Sequence, residues 1–216
     1  EWSPDWFTML SASDYPVMPG ARVEEMLRRE PYDLYLDWRP IVWNPKPIEG
    51  AFESHMGTHH VWYRRLAYER YVGKVILVPS LNRRLRPTRR RYVLRRLFVP
   101  FAPWWRCYGG ETFFTGNRKV ADILLRATKE HPWTFRHYAK TFAPDESIFH
   151  TLLCNHGELR ICNDNKRYTN WKRGGANPAW IGTEDLEPIA KAGAFFARKF
   201  SSKDSGAVLA EIDRKL

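Results

Sequence analysis

Two short segments of this chain carry residue types that could do chemistry together. The first, Pro144-Asp145-Glu146-Ser147-Ile148-Phe149-His150-Thr151, offers a carboxylate where a helix is expected to begin. Unpaired N–H groups and the helix dipole favour an ionised carboxylate at such a place. That suits a general base which takes a proton from an attacking hydroxyl. The second, Phe195-Phe196-Ala197-Arg198-Lys199-Phe200, offers fixed cations after a helix expected over residues 186–194. Fixed cations can neutralise a departing phosphate through charge-assisted hydrogen bonds. Each segment alone has an ordinary reading, as a helix start and as a solvated lysine. Together they suit a displacement in which a hydroxyl enters and a diphosphate leaves.

A divalent metal bound by an Asp-x-Asp motif would be another way to hold that diphosphate. No such motif occurs: Asp33 and Asp37 are too far apart, and Asp164 is flanked by Asn163 and Asn165. His55 and His59 would share a helical face, with His60 beside them, but Gly57 interrupts that face and Glu53 is the one acidic neighbour. The three cysteines, Cys107, Cys154 and Cys162, cannot all pair, and no CxxC is present to suggest a zinc framework. The expectation is therefore no metal and no cofactor.

A third segment lies near the start, Leu10-Ser11-Ala12-Ser13-Asp14-Tyr15-Pro16. In their order and surroundings the three segments resemble the core-2/I-branching glycosyltransferase family. That family includes branching N-acetylglucosaminyltransferases, peptide O-xylosyltransferases and plant glucuronosyltransferases. The resemblance is strongest at residues 6–17 and from about residue 107 onward, and weak over residues 40–100. It implies an α/β, nucleotide-binding (GT-A-like) fold with a mixed central sheet. Residues 1–216 would form one catalytic domain, the C-terminal two-thirds or so of the family domain, without the N-terminal strands that build the uridine pocket. The implied reaction is inverting and metal-independent. A sugar (N-acetylglucosamine, xylose or glucuronic acid) would pass from a UDP-sugar to a hydroxyl of a glycan or glycoprotein.

The same resemblance assigns roles to residues. Glu146 matches the catalytic base, and Lys199 matches a lysine that contacts the diphosphate. Arg198 is then an ordinary surface neighbour, unless the two exchange roles. A second cation is expected before the same helix, in Asn170-Trp171-Lys172-Arg173-Gly174-Gly175-Ala176-Asn177-Pro178. Arg173 is favoured for its forked guanidinium, with Lys172 as substitute. Ser11 and Asp14 match a turn beside the donor pocket, where Asp14 either binds donor hydroxyls or caps the next helix. Glu111, in Gly109-Gly110-Glu111, falls in a segment lining the acceptor side and is the alternative base. Trp104 and Trp105 either form a stacking wall for an acceptor sugar or are buried. The Asn163-Asp164-Asn165-Lys166-Arg167-Tyr168 run is similar to the lead-in to a strand in xylosyltransferases.

Composition bounds the alternatives. At 44% hydrophobic residues the chain can bury a core, which argues against disorder, and ten tryptophans suit both a core and sugar stacking. A formal charge of +11 points to an anionic partner. Much of the excess lies between Arg83 and Arg96, including Arg89, Arg90 and Arg91. That stretch, with Tyr92, Phe98, Phe101 and Trp104, also fits a nucleic-acid-binding module, but no recognised nucleic-acid motif accompanies it. An inactive carbohydrate-binding relative is the remaining alternative. The favoured partners are a UDP-sugar and a glycan or glycoprotein, and no nucleic acid. No run is long and apolar enough to span a bilayer, so membrane association would come from an upstream anchor or the basic segment. The expected location is the Golgi membrane, with a lumenal catalytic domain, in a eukaryote, or the cytoplasm in a bacterium.

These candidate residues need elements to hold them. Residues 6–10 read as a strand closed by the turn at 11–14, and Val23, Met26 and Leu27 form the apolar stripe of a short helix. Tyr32, Leu34, Leu36 and Trp38 alternate with Asp33 and Asp37, predicting a strand with one buried face. Residues 112–115 predict a strand, and Val120, Ile123, Leu124 and Ala127 a helix with Asn117 as its cap. Asp145 is the expected cap of a helix carrying Ile148, Phe149, Leu152 and Leu153 on one face. Short strands are expected near residues 160–162 and 167–171. A helix over 186–194 has Asp185 as its cap, and Val208, Ile212 and Leu216 mark a terminal helix. Strand–helix–strand order favours an α/β fold.

Overall fold

The computed structural model describes residues 4–42, 67–73, 99–171, 177–201, 203 and 205–215. Its main sheet has four strands in the order β1-β6-β3-β7. These are β1 (Trp6–Thr8), β3 (Leu34–Leu36), β6 (Phe114–Asn117) and β7 (Ile161–Cys162). β1 and β3 pair antiparallel to β6, and β3 pairs parallel to β7, so the sheet is mixed. A second sheet has the order β2-β9-β8, built from β2 (Asp14–Pro16), β8 (Arg167–Thr169) and β9 (Phe196–Arg198). β4 (Arg39–Pro40) and β5 (Tyr108–Gly109) make a two-stranded ribbon. The α-helices among the described residues are α1 (Gly20–Arg29), α2 (Arg118–Glu130), α3 (Pro132–Tyr138), α4 (Ile148–Cys154), α5 (Leu186–Ala192) and α6 (Gly206–Asp213). None of the described helices is long and apolar enough to cross a membrane.

β3 is the centre of the molecule. Leu34 and Leu36 pack on Val120 and Ile123 of α2 and on Leu153 of α4. On the other face Tyr35 is fully buried among the rings of Trp6, Tyr32 and Phe195. The alternation of Leu34 and Leu36 with Asp33 predicts one buried face, and the strand is instead buried on both. A central strand covered by helices on one side and by aromatic rings on the other has no solvent face. Asp33 tolerates burial because its carboxylate accepts from Arg160 N at 3.0 Å, Asn117 Nδ2 at 2.9 Å and Lys119 Nζ at 3.2 Å. Asn117 caps α2 as expected, its Oδ1 accepting from the main-chain N–H groups of Lys119 and Val120. The second sheet packs Ala197 against Ile181, Ile189, Val208 and Ile212.

Four expectations about the elements that carry or flank the candidate residues are corrected. Asp145 caps no helix: Pro144–Glu146 is a separate 3-10 turn, entered through Ala143 in the left-handed region (φ 46), and α4 starts after Ser147. Asp145 Oδ2 accepts from Thr112 Oγ1 at 3.0 Å instead. Lys199 does not follow a helix directly, because α5 ends at Gly193 in the left-handed region and strand β9 intervenes. Asp185 offers no side-chain cap to α5; its buried carboxylate accepts from Tyr168 OH and Asn170 Nδ2. The strand expected at 112–115 begins two residues later, at Phe114. Lys172, Arg173, His55, His59, His60, Leu216 and the basic stretch from Arg83 to Arg96 lie outside the described residues.

Candidate active site

The 3-10 turn places Glu146 beside a further hydrophobic cluster, which holds Tyr71, Cys107 and Tyr138. Its Oε2 accepts from Arg70 Nη1 at 2.9 Å, and Tyr71 OH lies 3.5 Å away. Burial pushes the Glu146 pKa above the ordinary carboxylate value and Asp145 adds to this, while Arg70 and Tyr71 oppose it. The turn is fixed from behind. Ser147 Oγ donates to Tyr108 O at 2.6 Å, and Tyr138 OH bonds Ser147 Oγ and Thr151 Oγ1, each at 2.7 Å.

The segment after β5 runs alongside this turn. Gly110 N donates to Glu146 O at 3.0 Å, which brings Glu111 close to the Glu146 turn. Neither glycine there has room for a side chain. A Cβ on Gly110 would lie 1.9 Å from Asp37 O, and one on Gly109 would lie 3.0 Å from Glu146 O. Beneath the segment, His150 Nε2 is 3.1 Å from both Asp37 O and Glu111 O. Burial pushes the His150 pKa down to about 4, so the ring is neutral and Nε2–H donates to the two carbonyls.

The Glu111 carboxylate accepts from Asn165 Nδ2 at 3.0 Å and Trp171 Nε1 at 3.2 Å, with Thr169 Oγ1 at 3.5 Å. Burial, and then the negative charge of Asp37, push its pKa up. Asp37 pairs through Oδ1 with Arg39 at 2.7 Å, and its buried Oδ2 has no hydrogen-bond partner among the described residues. The next ring along, Phe113, is covered by two guanidinium groups, Arg167 at 4.6 Å and Arg198 at 4.4 Å. Segment 109–113 thus touches the Glu146 turn at one end and the arginines of β8 and β9 at the other.

Asp14 is enclosed beside those arginines. Its Oδ1 pairs with Arg167 Nη1 at 2.7 Å and lies 3.6 Å from Arg198 Nε, and its Oδ2 accepts from Ser11 N. It caps nothing, since Pro19 holds the cap position of α1. Arg198 is not an ordinary surface residue, for it turns inward onto Asp14 and Phe113. Lys199 rests its ammonium over the Trp180 ring at 4.4 Å, and its carbonyl accepts from Ile181 N at 2.8 Å. Ser11 Oγ lies 3.2 Å from Ser13 Oγ.

The structure brings together Glu146, Glu111 and, through Phe113, Asp14 with Arg198. It does not bring the two tryptophans to them among the described residues. Trp104 is 82% exposed, and Trp105 stacks on His131 at 4.2 Å and donates from Nε1 to Thr134. Sequence reasoning gives no site role to Arg70, Tyr71, Asp37, Asn165, Thr169 or Trp171. The asparagine-rich run was a signal for Asn165 and its neighbours. Arg70 and Tyr71 carried none beyond an aromatic and basic stretch. Among the described residues no cluster of three or more His, Cys, Asp and Glu side chains is arranged to hold a metal ion.

Comparison with known proteins identifies the family. The profile of the Core-2/I-Branching enzyme family matches residues 77–190, and the chain belongs to that family. Beta-glucuronosyltransferase GlcAT14A of Arabidopsis thaliana is 26% identical over 216 residues, 98% of this chain and 42% of the relative. A xylosyltransferase of Ciona intestinalis is 30% identical over 125 residues, 50% of this chain and 15% of the relative. Xylosyltransferase 1 of Rattus norvegicus is 28% identical over 127 residues, covering 50% of this chain and 15% of its own length. The chain thus spans less than half the length of these relatives.

Proposed function

We propose that this chain is the catalytic part of a glycosyltransferase that moves a sugar from a UDP-sugar to a hydroxyl of a glycan or glycoprotein. Glu146 is the base that takes the acceptor proton as the oxygen attacks the anomeric carbon. A single base and a diphosphate leaving on the opposite face give inversion. Lys199 and Arg198 stabilise the charge that builds on the diphosphate, in place of a divalent metal, and Arg173 or Lys172 would add a further cation. Glu111, with its donors Asn165 and Trp171, lies on the acceptor side of the base. The architecture is a nucleotide-binding, GT-A-like one. A eukaryotic protein of this kind would act on lumenal acceptors from the Golgi membrane.

One observation carries the reading. Segment 109–113 bonds to the Glu146 turn through Gly110 and lies under Arg198 through Phe113. A base and a cation are thereby set along one short stretch of chain, in a family of transferases. The names of the relatives favour glucuronic acid or xylose as the sugar. The test is incubation of the full-length protein with UDP-glucuronic acid, UDP-xylose and UDP-N-acetylglucosamine, each with glycan and glycopeptide acceptors. Product NMR would read the anomeric configuration. Release of UDP with a β-linked product is expected, with excess chelator present. No turnover of any donor, or a retained anomeric configuration, would overturn the reading.

A further inference from the structure

We propose that Arg70 is a positioning residue for Glu146: its guanidinium holds Oε2, which fixes the carboxylate's orientation, keeps it anionic and leaves Oε1 for the acceptor hydroxyl. This rests on the reading of Glu146 as the base.

The geometry is specific. Arg70 sits in the π-helical turn Tyr68–Val72, and its Nη1 reaches Glu146 Oε2 at 2.9 Å. The guanidinium carbon lies 4.9 Å from the Phe142 ring and 5.8 Å from the Tyr71 ring. Two aromatic faces thus limit where the cation can go, and a guanidinium stacks on such faces better than an ammonium. The Tyr71 hydroxyl donates to Ala143 O at 2.6 Å, which anchors the π-helical turn to the backbone just before the Glu146 turn. Among the described residues Glu146 Oε1 has no partner, so the ion pair engages one oxygen alone.

The electrostatics call for such a partner. Burial and the adjacent Asp145 both favour the protonated, inactive form of Glu146. Among the described residues, the groups facing its carboxylate are Arg70 and Tyr71 from the π-helical turn and Asp145 from its own turn. Arg70 is the one cation among them. Arg70 opposes that push, so its charge favours the ionised form of a half-buried base.

The test uses the full-length protein with carboxyl-13C glutamate, the Glu146 signal being assigned by its loss in Glu146→Gln. Arg70→Met should move the Glu146 titration to higher pH. It should also move the acid limb of kcat upward with the most active of the three UDP-sugars, while KM for that donor stays within a few-fold. At a pH above the limb kcat should still be lower, by roughly a hundredfold if the carboxylate loses its orientation. Arg70→Lys should restore the limb while recovering kcat only in part, because charge returns without the fork. Arg70→Gln replaces Arg70→Met if the latter fails to fold. An unchanged Glu146 titration overturns the proposal whatever the activity. A shifted titration with an unchanged rate profile would show that Glu146 is not the base, and would overturn both readings.

Discussion

The main-chain N–H of Gly110 donates to the carbonyl of Glu146 at 3.0 Å, and this bond joins the two carboxylate-bearing segments of the site. It depends on a residue without a side chain. On the other side of Gly110 the Asp37 carbonyl fills the place a Cβ would take. The position of Glu146 relative to Glu111 is therefore set by backbone packing, independent of how either carboxylate is charged.

Gly110→Ala should be among the most damaging small substitutions. A methyl group 1.9 Å from Asp37 O, with His150 Nε2 at 2.8 Å, forces backbone to move. Overpacking of this kind costs about 1–3 kcal/mol. Urea denaturation should show that loss, and transfer should fall further than stability alone explains because both carboxylates shift.

Glu146→Gln keeps the shape of the side chain and removes its basicity. Transfer should fall by on the order of a hundred- to ten-thousandfold. UDP affinity, measured by calorimetry, should stay within a few-fold. More than about a tenth of wild-type activity, outside that range, would point to Glu111 as the base instead.

The cations of the β9 end should separate by role. Lys199→Ala should lower kcat by roughly a hundred- to a thousandfold if the ammonium acts as an oxyanion donor. Arg198→Ala should lower thermal stability as well as activity, because it exposes the Asp14–Arg167 pair and uncovers Phe113. Activity abolished by chelator and restored by manganese would refute the metal-independent mechanism.

Asp33 makes the clearest pH prediction for stability. Burial favours its neutral form, but this is outweighed by hydrogen bonds from Arg160 N, Asn117 and Lys119 and by the Lys119 charge, which bring its pKa down to about 2 from 3.8. A depressed folded-state pKa stabilises the fold above the unfolded value, and that contribution is lost as pH falls through 3.8 towards about 2. Asp33→Asn should thus cost about 2 kcal/mol at pH 7. The difference between variant and wild type should shrink below pH 4 in urea titrations. A pH-independent difference would assign the effect to packing.

Much of the fold was legible in local pattern. The stripe Val120, Ile123, Ala127 with its Asn117 cap is the apolar face of α2, because helical periodicity and capping are properties of a few consecutive residues. The Asp145–Glu146 and Arg198–Lys199 segments could be singled out for the same reason, since their residue types and spacing stand in the linear order. The family, too, was readable from three short segments, and the match over residues 77–190 bears this out.

What the linear order could not decide were contacts between distant residues. Arg70 meets Glu146 across 76 positions, and Asn165 meets Glu111 across 54. Arg198 looked like a surface residue because nothing near it in the chain shows that Asp14 and Phe113 pack against it. Tyr35 and Asp33 break the one-sided reading of β3 because burial depends on what covers a strand, and its coverings come from both ends of the chain. Periodicity reports which face of an element is apolar. Which charges share a site depends on chain closure between segments far apart, and only the tertiary structure carries that information.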